Sequence, residues 1–129
     1  MSAEVVGAVV SRIKSQMLRC YDAEPTSATY PYVVVYADGG IRSSDREADV
    51  RVQVDLGWQT TVVGESSAQC RAALDRVTAA LEDWRPVVPG RTFHKVDHEG
   101  SQPVRRDADL PDRSLFIATD QWRVVSDPV

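Results

Sequence analysis

Apolar and polar residues alternate most regularly near the middle of the chain. Apolar residues occupy the even positions there, namely Val50, Val52, Val54, Leu56 and Trp58. The intervening odd positions hold Arg51, Gln53, Asp55 and Gln59. A repeat of two places successive side chains on opposite faces of a strand. The segment is therefore predicted to be a β-strand with one face on a core and the other in water.

After Gly64 the apolar repeat lengthens to steps of four and three, which is typical of one face of a helix. The residues that repeat are Cys70, Leu74, Val77, Leu81 and Trp84. Ser66 and Gln69 fit a capping box at the start of this helix. Pro86 is expected to end it, because a proline disfavours the helical conformation in the residue before it.

The rest of the chain predicts a second helix and three further strands. Residues 3–19 carry another helical stripe, formed by Val6, Val9, Val10, Ile13, Met17 and Cys20. Residues 30–37 are a nearly continuous run of β-branched and aromatic residues, which predicts a strand that is covered on both faces or lies at a protein interface. Shorter apolar runs predict strands within residues 92–99 and 114–125.

The predicted order is helix, two strands, helix, two strands. We expect an α+β fold in which two helices pack on one face of a four-stranded, mostly antiparallel sheet. A length of 129 residues suits one domain over residues 1–129. Two long polar loops, residues 38–48 and 100–113, exceed the usual length of strand connections. The first loop is either a solvated tip or an arm that orders against a neighbouring molecule.

Composition narrows the possible functions. The chain is 43% apolar and 26% charged, as in an ordinary soluble globular domain. Its 19 acidic and 15 basic residues give a net charge of −4, which argues against a dedicated nucleic-acid binder. We find neither a signal peptide nor a run long enough to cross a bilayer, and expect synthesis in a reducing cytoplasm. Cys20 and Cys70 are accordingly expected to be buried thiols rather than a disulfide.

The only cluster that suggests catalysis contains the chain's two histidines, His94 and His98, with Asp97 between them. In a strand their Cα atoms would lie roughly 13 Å apart, too far to share one zinc ion unless the strand bends. Asp120, near Trp122, would be an acid–base partner for His94 only if the fold brought them together. Phosphate-binding and nucleophile motifs do not occur. We expect no catalytic residue, no cofactor and no metal.

Several segments together resemble the small tail-terminator proteins, also called minor tail or tail-completion proteins, of long-tailed bacteriophages. The segments are the strands at residues 32–36 and 49–54, the turn at 63–66, the helix at 70–77 and the closing residues 118–122. The resemblance extends over roughly residues 5–125. It implies an α+β subunit of the virion that assembles into a ring, commonly a hexamer, at the head-proximal end of the tail tube.

The resemblance also implies a set of partners. A ring of this kind caps the tube, stops its polymerisation and presents a surface for joining the head. Its partners would be further copies of the chain, the major tail tube protein and head–tail connector proteins, with no membrane partner. The net acidic charge would let DNA pass through the lumen without specific binding.

On this interpretation the functional residues lie at contacts with neighbouring subunits, the tube or the connector. We expect them to be Tyr32, Tyr36, Arg42, Asp45, Arg46, Glu47, Arg105, Arg106, Asp107 and Asp109. Within the same class, the alternative is a head–tail connector or neck protein, which completes the head. From other classes, the alternatives are a small metal-dependent enzyme that uses His94 and His98, and a monomeric binding module.

Overall fold

The protein has an α+β fold with two helices and one mixed sheet. The computed structural model describes residues 2–25, 29–37, 41–43, 53–107 and 115–128. The helices are α1 (Ser2–Lys14) and α2 (Ser67–Leu81). The strands are β1 (Arg19–Asp22), β2 (Tyr32–Ala37), β3 (Ile41–Ser43), β4 (Gln53–Gly64), β5 (Arg91–Phe93), β6 (Asp97–Arg106) and β7 (Phe116–Pro128).

The sheet is built around the antiparallel pair of β4 and β7, whose register extends from Val54 opposite Ser126 to Gly64 opposite Phe116. On the far side of β4 lie β2 and β3, and on the far side of β7 lie β5 and β6, all antiparallel to their partner. The short β1 pairs with β2 in parallel. The α+β class and the predominance of antiparallel pairing were predicted, but the four-stranded sheet is wrong, since the described residues form seven strands.

The extra strand β1 replaces the end of the first predicted helix. Helix α1 ends at Lys14, and Met17 then adopts a left-handed backbone conformation with φ of 64°. Leu18 and Cys20 are buried on alternate positions, as a strand requires. The prediction failed here because Met17 and Cys20 also happen to extend the helical spacing, although Met17 is 88% exposed.

Both predicted long loops contain strand. Residues 41–43 form β3, which lies beside β4. Residues 100–106 belong to β6, so the second loop begins after Arg106 rather than at Gly100. The predicted strand at residues 92–99 is in fact two strands, separated at residues 94–96, and each pairs with β7. Phe93 and Val96 are buried in the core, whereas β6 is mostly exposed and is held in the sheet by its backbone hydrogen bonds to β7.

One apolar core joins both helices to one face of the sheet. The alternation predicted for β4 is present in its described part, since Val54, Leu56 and Trp58 are all less than 7% exposed, whereas Val50 and Val52 lie outside the described residues. From the helices, Ile13 and Val77 are fully buried in the same core. The two free cysteines, Cys20 and Cys70, are also buried, and burial raises the pKa of the Cys20 thiol to about 12.

The connection from β4 to α2 confirms the predicted cap at Ser66, although the side chain of Gln69 reaches back one residue further than in a standard capping box. Ser66 Oγ accepts a hydrogen bond from the backbone N–H of Gln69 at 3.1 Å, and Gln69 Oε1 accepts one from the backbone N–H of Glu65. The helix ends at Leu81, earlier than Pro86 requires, because Glu82 turns to an extended conformation and Asp83 has φ of 61°. Neither described helix is long and apolar enough to cross a membrane.

Candidate functional site

The sheet face opposite the two helices, called here the outer face, carries the most distinctive side chains of the molecule. In β4 and β7 the even-numbered residues face the helices, and so do the odd-numbered residues of β2. The outer face is therefore formed by the odd-numbered residues of β4 and β7 and the even-numbered residues of β2. The register aligns these positions in rows, and one row runs from Tyr36 to Gln59 and on to Gln121. Side chains from distant parts of the chain therefore meet on this face.

All four tyrosines of the chain lie together at the β1–β2 side of the outer face. The Tyr32 ring packs against Tyr21 with centroids 6.0 Å apart and against Tyr30 with centroids 5.4 Å apart. Tyr36 follows on the same face of β2. We call Tyr21, Tyr30, Tyr32 and Tyr36 the tyrosine patch. Val34 lies between Tyr32 and Tyr36 and is only 3% exposed, so the middle of β2 is covered on both faces, which is one of the two alternatives predicted from its apolar sequence.

Tyr36 is tied to a carboxylate. Its hydroxyl donates a hydrogen bond to Glu24 Oε1 at 3.0 Å. Burial, together with this hydrogen bond to an anion, raises the pKa of Tyr36 to about 12. Burial also raises the pKa of Tyr32. Both hydroxyls therefore stay neutral near pH 7 and act as hydrogen-bonding groups at the surface.

Cross-strand pairs continue along the outer face between β4 and β7. Gln121 Nε2 donates to Gln59 Oε1 at 2.8 Å, and the hydroxyls of Thr61 and Thr119 lie 3.4 Å apart. Such pairs stabilise a sheet and hold its exposed side chains in fixed positions. The outer face is thus a largely pre-arranged polar surface.

An open depression of about 540 Å³ lies in this surface, and Gly57 is among the residues that line it. Four neighbouring strands supply its walls. The lining residues are Tyr36, Ala37, Gly57, Trp58, Gln59, Glu99, Gln121, Trp122 and Arg123. We call this depression the trough.

The charge around the trough is net negative. Arg123 Nη1 donates to Asp55 Oδ1 at 2.8 Å, and Arg123 Nε donates to Glu99. These two hydrogen bonds raise the pKa of Arg123 above its ordinary value. Two carboxylates therefore share one guanidinium, and a third carboxylate, that of Glu24, accepts the hydrogen bond from Tyr36.

The two histidines form separate pairs with aspartates of β7. His98 Nε2 lies 2.9 Å from Asp120 Oδ1, and the His98 ring stacks on Trp122 with centroids 4.4 Å apart. His94 Nε2 lies 2.9 Å from Asp127 Oδ2, and this hydrogen bond holds the pKa of Asp127 below its ordinary value. Asp120 is therefore the partner of His98 and not of His94. The described residues contain no group of three or more side chains suited to hold a metal ion.

The structure brings together some of the residues predicted at contacts. Tyr32 and Tyr36 belong to the tyrosine patch. Arg105 lies in the same row as Tyr32 at the opposite edge of the sheet, because Tyr32 pairs with Val63, Val63 with Ile117, and Ile117 with Arg105.

The other predicted contact residues are placed less fully. Arg106 ends β6, and Asp107 follows it and donates its backbone N–H to the Leu115 carbonyl at 2.8 Å. The backbone of Arg42 lies in β3 opposite Val54. Asp45, Arg46, Glu47 and Asp109 lie outside the described residues.

Among the residues of this surface that sequence reasoning missed are Tyr21, Tyr30, Asp55, Glu99 and Arg123. The alternation in β4 did place Asp55 on the solvent side. Its meeting with Glu99 and Arg123 depends on the pairing of three strands, which a local pattern does not contain. All four tyrosines fall within residues 21–36, and this clustering in sequence was the signal that could have predicted a shared surface.

Comparison with known proteins gives a family match and matches to solved structures. The family model described as tail completion protein gp17 matches residues 2–117. A solved chain from the structure described as the virion of a native gene transfer agent particle is similar in fold, with a TM-score of 0.72 and 17% identity. That alignment covers 94% of this chain and 92% of the other. No curated protein matches the chain in sequence.

Proposed function

Because this chain belongs to the tail completion protein gp17 family, we propose that it forms a closed ring that caps the tail tube of a phage. Family membership makes the protein a structural protein of the virion. The ring, its position at the head-proximal end of the tube and its part in joining the head are the proposal. The observation that carries it is the family match over residues 2–117, which includes every element of the fold except most of β7.

The outer face supports assembly with other proteins. Tyrosine and arginine are enriched at the centres of protein interfaces, where their large side chains contribute most of the binding energy. Here four tyrosines and Arg123 share one sheet face with a depression that no described side chain fills. A virion subunit that assembles with other proteins has a use for such a surface.

The edge strands of the sheet support a role in ending assembly, because they are poorly suited to pair with further strands. Within the described chain β6 pairs with β7 alone, and eight of its ten residues are exposed. It carries Pro103, two irregularities in register, and charges at both ends. These features discourage a further strand from pairing with an edge. The opposite edge, β1, has only four residues.

The charged residues predicted from the sequence complete the proposed contacts. We assign contact with neighbouring subunits, the tube or the connector to Tyr32 and Tyr36 and to two charged groups. These groups are Arg42, Asp45, Arg46 and Glu47 in one segment and Arg105, Arg106, Asp107 and Asp109 in the other. The subunit has no catalytic role in this proposal, and the net charge of −4 lets DNA pass without specific binding.

Native mass spectrometry and electron microscopy of the purified protein, with and without tail tube protein, test this proposal. We expect a ring of one fixed subunit number that binds the end of the tube and limits its length. A protein that stays monomeric with tube protein at high concentration would contradict the proposal. Binding to the portal side and not to the tube would favour a head–tail connector instead.

A further inference from the structure

We infer that the trough is the socket for helix α2 of a second copy of this chain. The inference rests on the proposed ring and names the two surfaces that meet in it. The trough lies on the outer face and α2 packs on the other face of the sheet, so one subunit can offer α2 and receive a neighbour's α2 at the same time. A head-to-tail contact of this kind closes into a ring when each step adds a fixed rotation.

The exposed side of α2 suits close packing. Its solvent-facing residues are Ala68, Arg71, Ala72, Asp75, Arg76 and Ala79. Three of these are alanines, which leave room for the helix backbone to approach a surface. Across the described structure, neither Arg71 nor Arg76 forms an ion pair or a hydrogen bond through its side chain. The helix therefore presents two uncommitted guanidinium groups next to small side chains.

The strands that line the trough are together broad enough to receive a helix. Its walls come from β2, β4, β7 and β6, and four adjacent strands span about 14 Å between the outer two. A helix with its side chains is about 10 Å across. Helices that bind in grooves do so through residues spaced three and four apart, as are Ala68, Ala72, Arg76 and Ala79. Tyr36 and Glu99 then lie on either side of the seated helix.

The charges at the trough and on the exposed face of α2 are opposite in sign, which favours a second copy of the chain as the partner. At the trough the carboxylates of Asp55 and Glu99 share the guanidinium of Arg123, which leaves one negative charge among these three residues. On the exposed face of α2, Arg71 and Arg76 outnumber Asp75, so the neighbouring copy would supply a positive charge. An arginine close to Tyr36 can also stack on its ring, which adds a cation–π interaction. Opposite charges across an interface set its specificity and its rate of formation.

The test is a charge exchange between two variants, Glu99→Lys in the trough and Arg76→Glu on α2. Each variant alone places like charges at every contact, so we expect its assembly constant to fall by at least about tenfold. In an equal mixture the two variants can alternate around the ring, and every contact again joins opposite charges. We therefore expect the mixture to form rings of an even subunit number, within about threefold of the wild-type assembly constant.

Controls separate the possible failures. Arg85→Glu makes the same charge change outside the helix and should leave assembly unchanged. If Glu99→Lys lowers the thermal midpoint of the monomer, Gln121→Lys places the positive charge in the same trough instead. A wild-type protein that forms no ring would contradict the proposed function itself. Wild-type rings together with unaffected single variants, or a mixture that does not recover, would overturn the pairing of trough and α2.

Discussion

Asp120 is the only carboxylate that is buried in the described part of the chain, at 1% exposure. Its Oδ1 is paired with His98, and its Oδ2 has no hydrogen-bond partner among the described residues. A buried charge that loses its only partner is strongly destabilising. We expect His98→Ala to lower the free energy of unfolding by about 3 kcal/mol, measured by urea denaturation near neutral pH.

A double-mutant cycle distinguishes this pair from simple loss of packing. Adding Asp120→Asn to His98→Ala removes the buried charge, so the double variant should be more stable than the sum of the two single effects predicts. His94→Ala is the matched control, because the His94–Asp127 pair is exposed and its loss should cost much less. Additive effects within error would show that His98 acts through its stacking on Trp122 alone.

Tyr36 should titrate only in strong alkali. Its pKa of about 12 means that folding favours the neutral hydroxyl. This contribution to stability is complete below the ordinary pKa of 10 and is lost as the pH rises through about 12. In a Glu24→Gln variant we expect the pKa to fall but to stay above 10, because burial is the larger cause. Ultraviolet titration of the tyrosines measures the shift, and the Tyr36→Phe variant identifies the signal of Tyr36. An unchanged pKa of Tyr36 in Glu24→Gln would show that Glu24 does not contribute to the shift.

Among the elements, the turn from β4 into α2 depends on the absence of a side chain at Gly64. A Cβ there would lie 3.0 Å from the backbone nitrogen of Cys70, at the first turn of α2. Backbone of a capped helix cannot easily move aside, so Gly64→Ala should destabilise the fold by about 1–3 kcal/mol.

Gly7 in α1 is the matched control for Gly64. A Cβ at Gly7 has no neighbour within 4 Å, and alanine is the better helix former. Gly7→Ala should therefore stabilise the fold by about 0.5–1 kcal/mol. Thermal and urea unfolding of both variants give the comparison. If both substitutions changed the free energy of unfolding equally, the backbone near Gly64 would be able to accommodate a Cβ without loss of stability.

The elements with one buried face were those that the sequence predicted well. In β4 and α2 the spacing of apolar residues follows directly from burial, so the pattern alone identifies them. Strand β6 has no such face, since eight of its ten residues are exposed, and only its pairing with β7 makes it a strand. The trough was not predictable for a similar reason. Its residues Tyr36, Glu99 and Arg123 meet through strand pairings that are distant in sequence.

Pro103 on β6 tests whether that edge is protected. Proline has no backbone N–H to offer to an incoming strand, and it lies where the register with β7 is already irregular. We expect Pro103→Thr to leave the fold intact but to increase light scattering on prolonged incubation, as the edge becomes able to pair. Pro89→Thr, in the exposed connector before β5, is the control. Equal scattering by both variants would show that charge alone protects the edge.

At the scale of the whole molecule, the helices and the outer face divide the surface into two unlike halves. One half presents α2 with its alanines and unpaired arginines, and the other presents tyrosines and carboxylates. Edges that resist pairing leave these two faces as the routes to association. Such a subunit is suited to a contact in which one face of a molecule meets the opposite face of the next, and not to open growth through its strands.

That division predicts how stability depends on concentration. Association that involves only the folded state raises the thermal midpoint by mass action. The wild-type midpoint should therefore rise with protein concentration, whereas that of Glu99→Lys or Arg76→Glu alone should stay constant. An equal mixture of the two variants should regain the rise, since its contacts again join opposite charges. A wild-type midpoint that does not change with concentration, even with tube protein present, would mean that these faces do not meet.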